Sequence, residues 1–208
     1  MNPAFLNNLM AKKAMAQQAH SSGVCISSLP GPHTDENDRS SLYKVLVIPT
    51  GMSTTNLGHL REIPGVTIAD GISRDYAAND ASFAKFAATV ETLRPTVIVA
   101  GSRGTELVTR LFSDSGSSKS PYHGAVLLFG PVHLSALFDA LRSRKNRLVI
   151  VHGTKDQNEK IESVRGLVAG RSRTTRLVEA TTKGHDMSFD ENDGKRTMRR
   201  VIRYVDAE

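Results

Sequence analysis

From Lys44 onward, short apolar runs alternate with longer stretches of helical periodicity. Val45-Leu46-Val47-Ile48 precedes a loop rich in Gly, Ser and Thr. Val66-Thr67-Ile68-Ala69 precedes the stretch Asp80 to Leu93, whose Phe83, Phe86, Ala87, Val90 and Leu93 share one helical stripe. Thr96 to Val99 leads to a helix from about Thr105, Ala125 to Phe129 to one near Leu134 to Leu141, and Leu148 to Val151 to one near Ile161 to Val168. Arg176 to Glu179 and an amphipathic helix, Thr197 to Val205, complete the series. Apolar runs without polar alternation suit a sheet covered on both faces, and strand-helix alternation makes neighbouring strands parallel. The pattern predicts an α/β fold, a doubly wound and mainly parallel sheet of about six strands between two helical layers. The connection Gly130 to Asn146 is too short for a large cap domain.

The first 42 residues break this pattern. No acidic residue precedes Asp35, and Phe5, Leu6, Leu9 and Met10 fall on one side of a short helix near Lys12 and Lys13. A transit peptide has some of this character, but no arginine precedes Arg39 and the uncharged core of a secretory signal is missing. Pro30, Gly31, Pro32 and the surrounding serines read as a linker. The expectation is a flexible extension over residues 1–42 and one domain over 43–208, cytoplasmic, with organelle targeting by the extension left open.

Composition narrows the function classes. Of 208 residues 39% are hydrophobic, and no apolar run approaches the roughly 18 residues of a membrane-spanning helix. The single cysteine, Cys25, rules out an intrachain disulfide and a thiolate metal cluster. The net charge of +6 suits a polyanionic partner, but the basic residues are scattered, aromatics are 5% and Trp is absent. Neither nucleic acid nor membrane is therefore expected as a partner.

The strongest local signal is Ala100-Gly101-Ser102-Arg103-Gly104, directly after the run Thr96 to Val99 and directly before a helix. A nucleophile elbow turns so sharply that the positions two before and two after the serine must be small, as Ala100 and Gly104 are. The turn lifts the serine hydroxyl above the sheet and opens the next helix at Arg103, whose backbone N–H faces a developing oxyanion. A helix N-cap or a phosphate-binding loop also fits this stretch taken alone. Downstream, Asp156 follows Val149 to His152 in Gly153-Thr154-Lys155-Asp156, and His185 follows the last strand in Lys183-Gly184-His185. Serine, aspartate and histidine thus arrive in that order, each on a loop at the same sheet edge.

A serine hydroxyl attacks only when a histidine takes its proton, and that histidine needs a carboxylate on its other nitrogen. Ser102 is the expected nucleophile, His185 the base and then acid, Asp156 the orienting group. Gly51 or Met52, after the first strand, would supply the second oxyanion N–H. His152 reads as structural, and His20, His33, His59, His123 and His133 lack the loop placement. Asp186 is too local to orient its neighbour, and Glu159 is the reserve acid.

From about Tyr43 to Val205 the chain resembles the α/β-hydrolase superfamily, and within it the small dienelactone-hydrolase-like and carboxylesterase-like members. The resemblance rests on Arg94 to Gly104, Ala125 to Pro131, His152 to Asp156 and Gly184-His185. It implies a serine hydrolase of small esters or thioesters, needing no metal or organic cofactor; a monomer or weak homodimer is expected. Two departures are Ala100 for the elbow's first glycine and the absence of a valine-proline pair after Asp156. A hydrolase-like shell with only a binding role is one alternative. Another is a universal-stress-protein-like nucleotide binder, whose phosphate loop Val99 to Gly104 resembles. In that family the loop precedes the final strand, whereas three more strands are expected here.

Overall fold

The apolar runs form the strands of one sheet. The computed structural model describes residues 44–69, 71–72, 79–114, 122–142, 144–171, 173–188 and 191–206, so the extension expected over residues 1–42 lies outside the described residues. The elements run β1 (Val45–Val47), α1 (Thr54–Arg61), β2 (Val66–Ile68), α2 (Asp80–Leu93), β3 (Val97–Gly101) and α3 (Gly104–Asp114). They continue through β4 (Ala125–Phe129), α4 (Leu134–Ala140), β5 (Leu148–Gly153), α5 (Ile161–Ala169), β6 (Thr175–Ala180) and α6 (Glu191–Asp206).

The strand order is β2-β1-β3-β4-β5-β6, and every pairing is parallel. All residues of β1, β3, β4 and β5 are buried, as expected of strands covered on both faces. Alternate side chains divide between two cores. Val45, Val47, Val97, Val99, Leu127 and Val151 pack with Leu57 and Leu60 of α1 and Met198, Val201, Ile202 and Val205 of α6. Leu46, Ile48, Ile98, Val126, Leu128 and Ile150 pack with residues of α2, α3, α4 and α5, among them Phe86, Leu107, Leu137 and Val164. Each buried Leu, Ile or Phe contributes roughly 1.5–3 kcal/mol, so the three-layer arrangement follows from where these side chains fall.

Two local expectations need correction. The stretch after β1, read as a loop, contains α1. Its apolar content is low, and only tertiary packing of Leu57 and Leu60 makes it a helix, with Ser53 as N-cap accepting from the Asn56 N–H at 3.1 Å. The helix expected from Arg103 starts at Gly104, because Ser102 and Arg103 are used by the turn itself.

The connectivity positions the site. From β1 the chain steps outward to β2, while from β3 it steps the opposite way to β4. Such a reversal leaves a crevice beyond the carboxyl ends of β1 and β3, and side chains on the two following loops meet there. Three strands, β4 to β6, follow the Val99 to Gly104 loop, which departs from the nucleotide-binding alternative. Among the described residues, no helix is long and apolar enough to cross a membrane.

Candidate functional site

Between β3 and α3 the chain reverses within Ser102 and Arg103. Ser102 has a φ of 44°, a left-handed conformation that costs an L-residue roughly 1–2 kcal/mol. Two backbone bonds fix it: the Ser102 N–H donates to the Phe129 carbonyl at 3.0 Å, and the Thr105 N–H donates to the Ser102 carbonyl at 3.1 Å. The need for small flanking residues is visible in the packing. A Cβ added to Gly104 would lie 3.0 Å from the Thr50 carbonyl oxygen and 3.3 Å from the Ala100 Cβ. Ala100 is tolerated in place of a glycine because its methyl group occupies the space that Gly104 leaves open.

The structure brings the three expected side chains together. Ser102 Oγ lies 2.7 Å from His185 Nε2, and His185 Nδ1 lies 2.8 Å from Asp156 Oδ2. An ionised carboxylate can only accept, so the imidazole proton sits on Nδ1 and Nε2 is left to accept from the serine hydroxyl. The Asp156 side chain is completely buried and that of His185 is 29% exposed. A buried carboxylate must be hydrogen-bonded to be tolerated. Its second oxygen, Oδ1, accepts from the Asn158 N–H at 2.8 Å and the Glu159 N–H at 3.4 Å. Asp156 therefore closes its own turn and faces His185 at once.

The loops carrying Asp156 and His185 are tied to each other. The Lys155 N–H donates to the Lys183 carbonyl at 2.9 Å, and the Thr154 N–H to the Ala180 carbonyl at 3.1 Å. Gly153 makes this approach feasible, since a Cβ there would strike the carbonyl oxygens of Lys183 and Gly184. Beyond His185, the loop is anchored by Asn56 of α1, which is 2% exposed and donates from Nδ2 to the Met187 carbonyl at 2.8 Å. Lys183 Nζ donates to the Ser188 carbonyl at 2.9 Å. Sequence reasoning missed Asn56. Its signal, a polar residue one turn from Leu60 within an apolar pair's helix, is visible only once α1 is recognised.

The loop after β1 lies against the elbow. Gly51 has a φ of 71° in a turn closed by the Met52 N–H on the Pro49 carbonyl at 3.2 Å. A Cβ on Gly51 would stand 2.5 Å from the Gly101 oxygen, 2.7 Å from Ser102 Cβ and 2.9 Å from the Arg103 nitrogen. Of the two residues expected to offer a second N–H, Met52 thus uses its own in this turn, and Gly51 is in close contact with the elbow.

Several other residues fall away from the serine. His59 lies within α1 and is buried, and His123 is exposed at the amino end of β4. His133 does sit in a loop beyond the carboxyl end of β4, contrary to the sequence reading, but its Nε2 faces Glu106 Oε1 at 3.8 Å. Glu159 enters the site through its backbone, not its carboxylate. A cavity of about 700 Å³, within the range of small-molecule sites, opens beside these three side chains. Gly51 to Asn56, Phe129 and the loop His185 to Ser188 line it, so of Ser102, Asp156 and His185 it is His185 that stands on its wall. Among the described residues, no group of three or more His, Cys, Asp or Glu is placed to hold a metal ion.

No family model and no curated protein matches the sequence. Solved structures do resemble it. The esterase domain of a Rhodothermus marinus protein has a TM-score of 0.59 at 13% identity, covering 78% of this chain and 86% of that one. An alpha-beta serine hydrolase homologue from Coxiella burnetii has a TM-score of 0.52 at 13% identity, covering 79% and 85%. A thermophilic esterase from Thermogutta terrifontis has a TM-score of 0.52 at 17% identity, covering 84% and 82%. At such identities the likeness concerns the backbone.

Proposed function

Given the α/β-hydrolase fold, we propose that this chain is a serine hydrolase cleaving small esters or thioesters through an acyl-Ser102 intermediate. The observation that carries the proposal is the unbroken line of two short bonds, Ser102 Oγ to His185 Nε2 at 2.7 Å and His185 Nδ1 to Asp156 Oδ2 at 2.8 Å. Heavy-atom separations within about 2.6–3.2 Å are those a general base needs to take a proton from its nucleophile.

In the proposed reaction Ser102 Oγ attacks the ester carbonyl while His185 Nε2 takes the hydroxyl proton. Buried Asp156 stabilises the imidazolium and holds its Nδ1–H tautomer. The carbonyl oxygen becomes an oxyanion, met by the backbone N–H groups of Arg103 and Gly51. His185 then gives its proton to the departing alcohol or thiol. Water attacks the acyl-serine by the same proton route in reverse, releasing the acid and restoring the hydroxyl. Substrate enters from the cavity on the His185 side.

A fluorophosphonate probe tests this directly. Intact protein should be labelled, and labelling should vanish in Ser102→Ala. Absence of labelling in the intact protein, together with ATP binding, would replace the hydrolase with the nucleotide-binding alternative.

A further inference from the structure

His152 is the last residue but one of β5, and its side chain is completely buried. Its Nε2 lies 2.7 Å from the Glu159 carbonyl oxygen. A carbonyl only accepts, so Nε2 carries the proton. His152 Nδ1 is buried without a hydrogen-bond partner among the described residues. A proton on Nδ1 would be a buried donor without a partner, so the ring donates from Nε2. Glu179, its register partner on β6, gives both carboxylate oxygens to Arg165, at 2.8 and 2.7 Å.

The backbone of Glu159 links this ring to Asp156 through the two peptide groups that flank its Cα. Its carbonyl accepts from His152, and its N–H donates to Asp156 Oδ1 at 3.4 Å. The same Nε2–H edge of His152 also stands 3.9 Å from Asp156 Oδ2, the oxygen that holds His185. One buried ring therefore borders both oxygens of the carboxylate, one through the Glu159 backbone and one across space. An apolar residue would fill the volume at lower desolvation cost, so the imidazole in this position needs a reason.

We propose that His152 is a positioning residue, holding the Glu159 backbone and the field at Asp156 so that Oδ2 stays aimed at His185 Nδ1. This rests on the serine hydrolase reading for its effect on rate, but its effect on the Asp156–His185 pair exists in the free protein. It acts through Asp156 and touches no substrate.

The test compares the full chain with His152→Phe, which keeps a ring without nitrogens, and His152→Gln, whose terminal amide can donate where Nε2 did. Hydrolysis of p-nitrophenyl acetate and the ¹⁵N spectra of the imidazoles are measured on each. We expect His152→Phe to lose about 10–100-fold in kcat with KM within about two-fold, the scale of a misplaced catalytic group. His152→Gln should return to within about three-fold of the unsubstituted protein. The spectra should show His152 as Nε2–H and His185 as Nδ1–H in the unsubstituted protein, and mixed tautomers at His185 in His152→Phe. An Nδ1–H form at His152 overturns the proposal without any variant. So does a folded His152→Phe in which His185 keeps one tautomer, whether or not the rate falls, since that leaves only a structural role. If His152→Phe does not fold, a His152→Gln that folds but mixes the His185 tautomers overturns it as well. If the unsubstituted protein hydrolyses no ester, the enzymatic reading fails while the spectra still decide this one.

Discussion

Ser102 offers a test in which backbone strain can be separated from the loss of its hydroxyl. Ser102→Ala and Ser102→Gly both remove the 2.7 Å bond to His185, so that term cancels between them. At an ordinary position glycine is less stable than alanine by roughly 0.5–1 kcal/mol, because it loses more backbone entropy on folding. At the Ser102 φ of 44°, alanine retains the left-handed penalty of roughly 1–2 kcal/mol and glycine does not. The difference favours Ser102→Gly by about 0.5–1 kcal/mol, reversing the usual order. For a domain of this size that corresponds to a Tm higher by about 1–4 °C, at roughly 2–4 °C per kcal/mol. Urea unfolding of the two variants, extrapolated to water, measures the same quantity if the two m-values agree. A Ser102→Gly variant less stable than Ser102→Ala by about 1 kcal/mol would mean that the turn carries no strain and that the elbow argument is wrong.

Three further outcomes are expected. Gly51→Ala should lower the proposed esterase activity by at least about 100-fold and destabilise by roughly 1–3 kcal/mol, since φ is 71° and the new Cβ meets Gly101, Ser102 and Arg103; unchanged kinetics in that variant would remove Gly51 from the proposed site. Asn56→Ala should cost about 1–3 kcal/mol in chemical denaturation by leaving the Met187 carbonyl without its buried donor, and should raise proteolysis between His185 and Ser188; an unaltered cleavage pattern there would show that the loop is held by other means. The Glu179 carboxyl is held below its ordinary value of 4.5 by its hydrogen bonds from Arg165. Its contribution is therefore fully present above that value and lost as pH falls through the lower folded-state one. Stability curves of the unsubstituted protein and Arg165→Gln should converge on acidification, and converge at neutral pH in high salt because both groups are partly exposed. A gap that stays constant with pH would assign the effect to packing.

Most of the sheet was legible because β1, β3, β4 and β5 are buried on both faces and so carry uninterrupted apolar runs. The meeting of Ser102, Asp156 and His185 was legible for a related reason. A parallel sheet puts every strand-to-helix loop at one edge, so position along the chain encodes position in space for Ser102, Asp156 and His185. What escaped is what depends on tertiary contacts. Helix α1 has few apolar residues and gains its order from α6, far along the chain. The parts played by Asn56 and by Glu159 run through backbone carbonyls and N–H groups, which every residue possesses and no sequence pattern marks. His152 was read as structural from its strand, and only its distances to Glu159 and Asp156 give it a relation to the triad.

The two-sided cover of the sheet bears on how the chain matures during synthesis. The face shared by Val45, Val97 and Leu127 is roofed by α1 and α6, and α6 emerges last among the described helices. Until then a nascent chain holds a finished helical layer on one side and, beyond the reach of α1, uncovered Val and Leu surface on the other, the kind of surface that chaperones bind. A premature stop before residue 191 would therefore yield a sticky intermediate whose sheet lacks the α6 half of its cover.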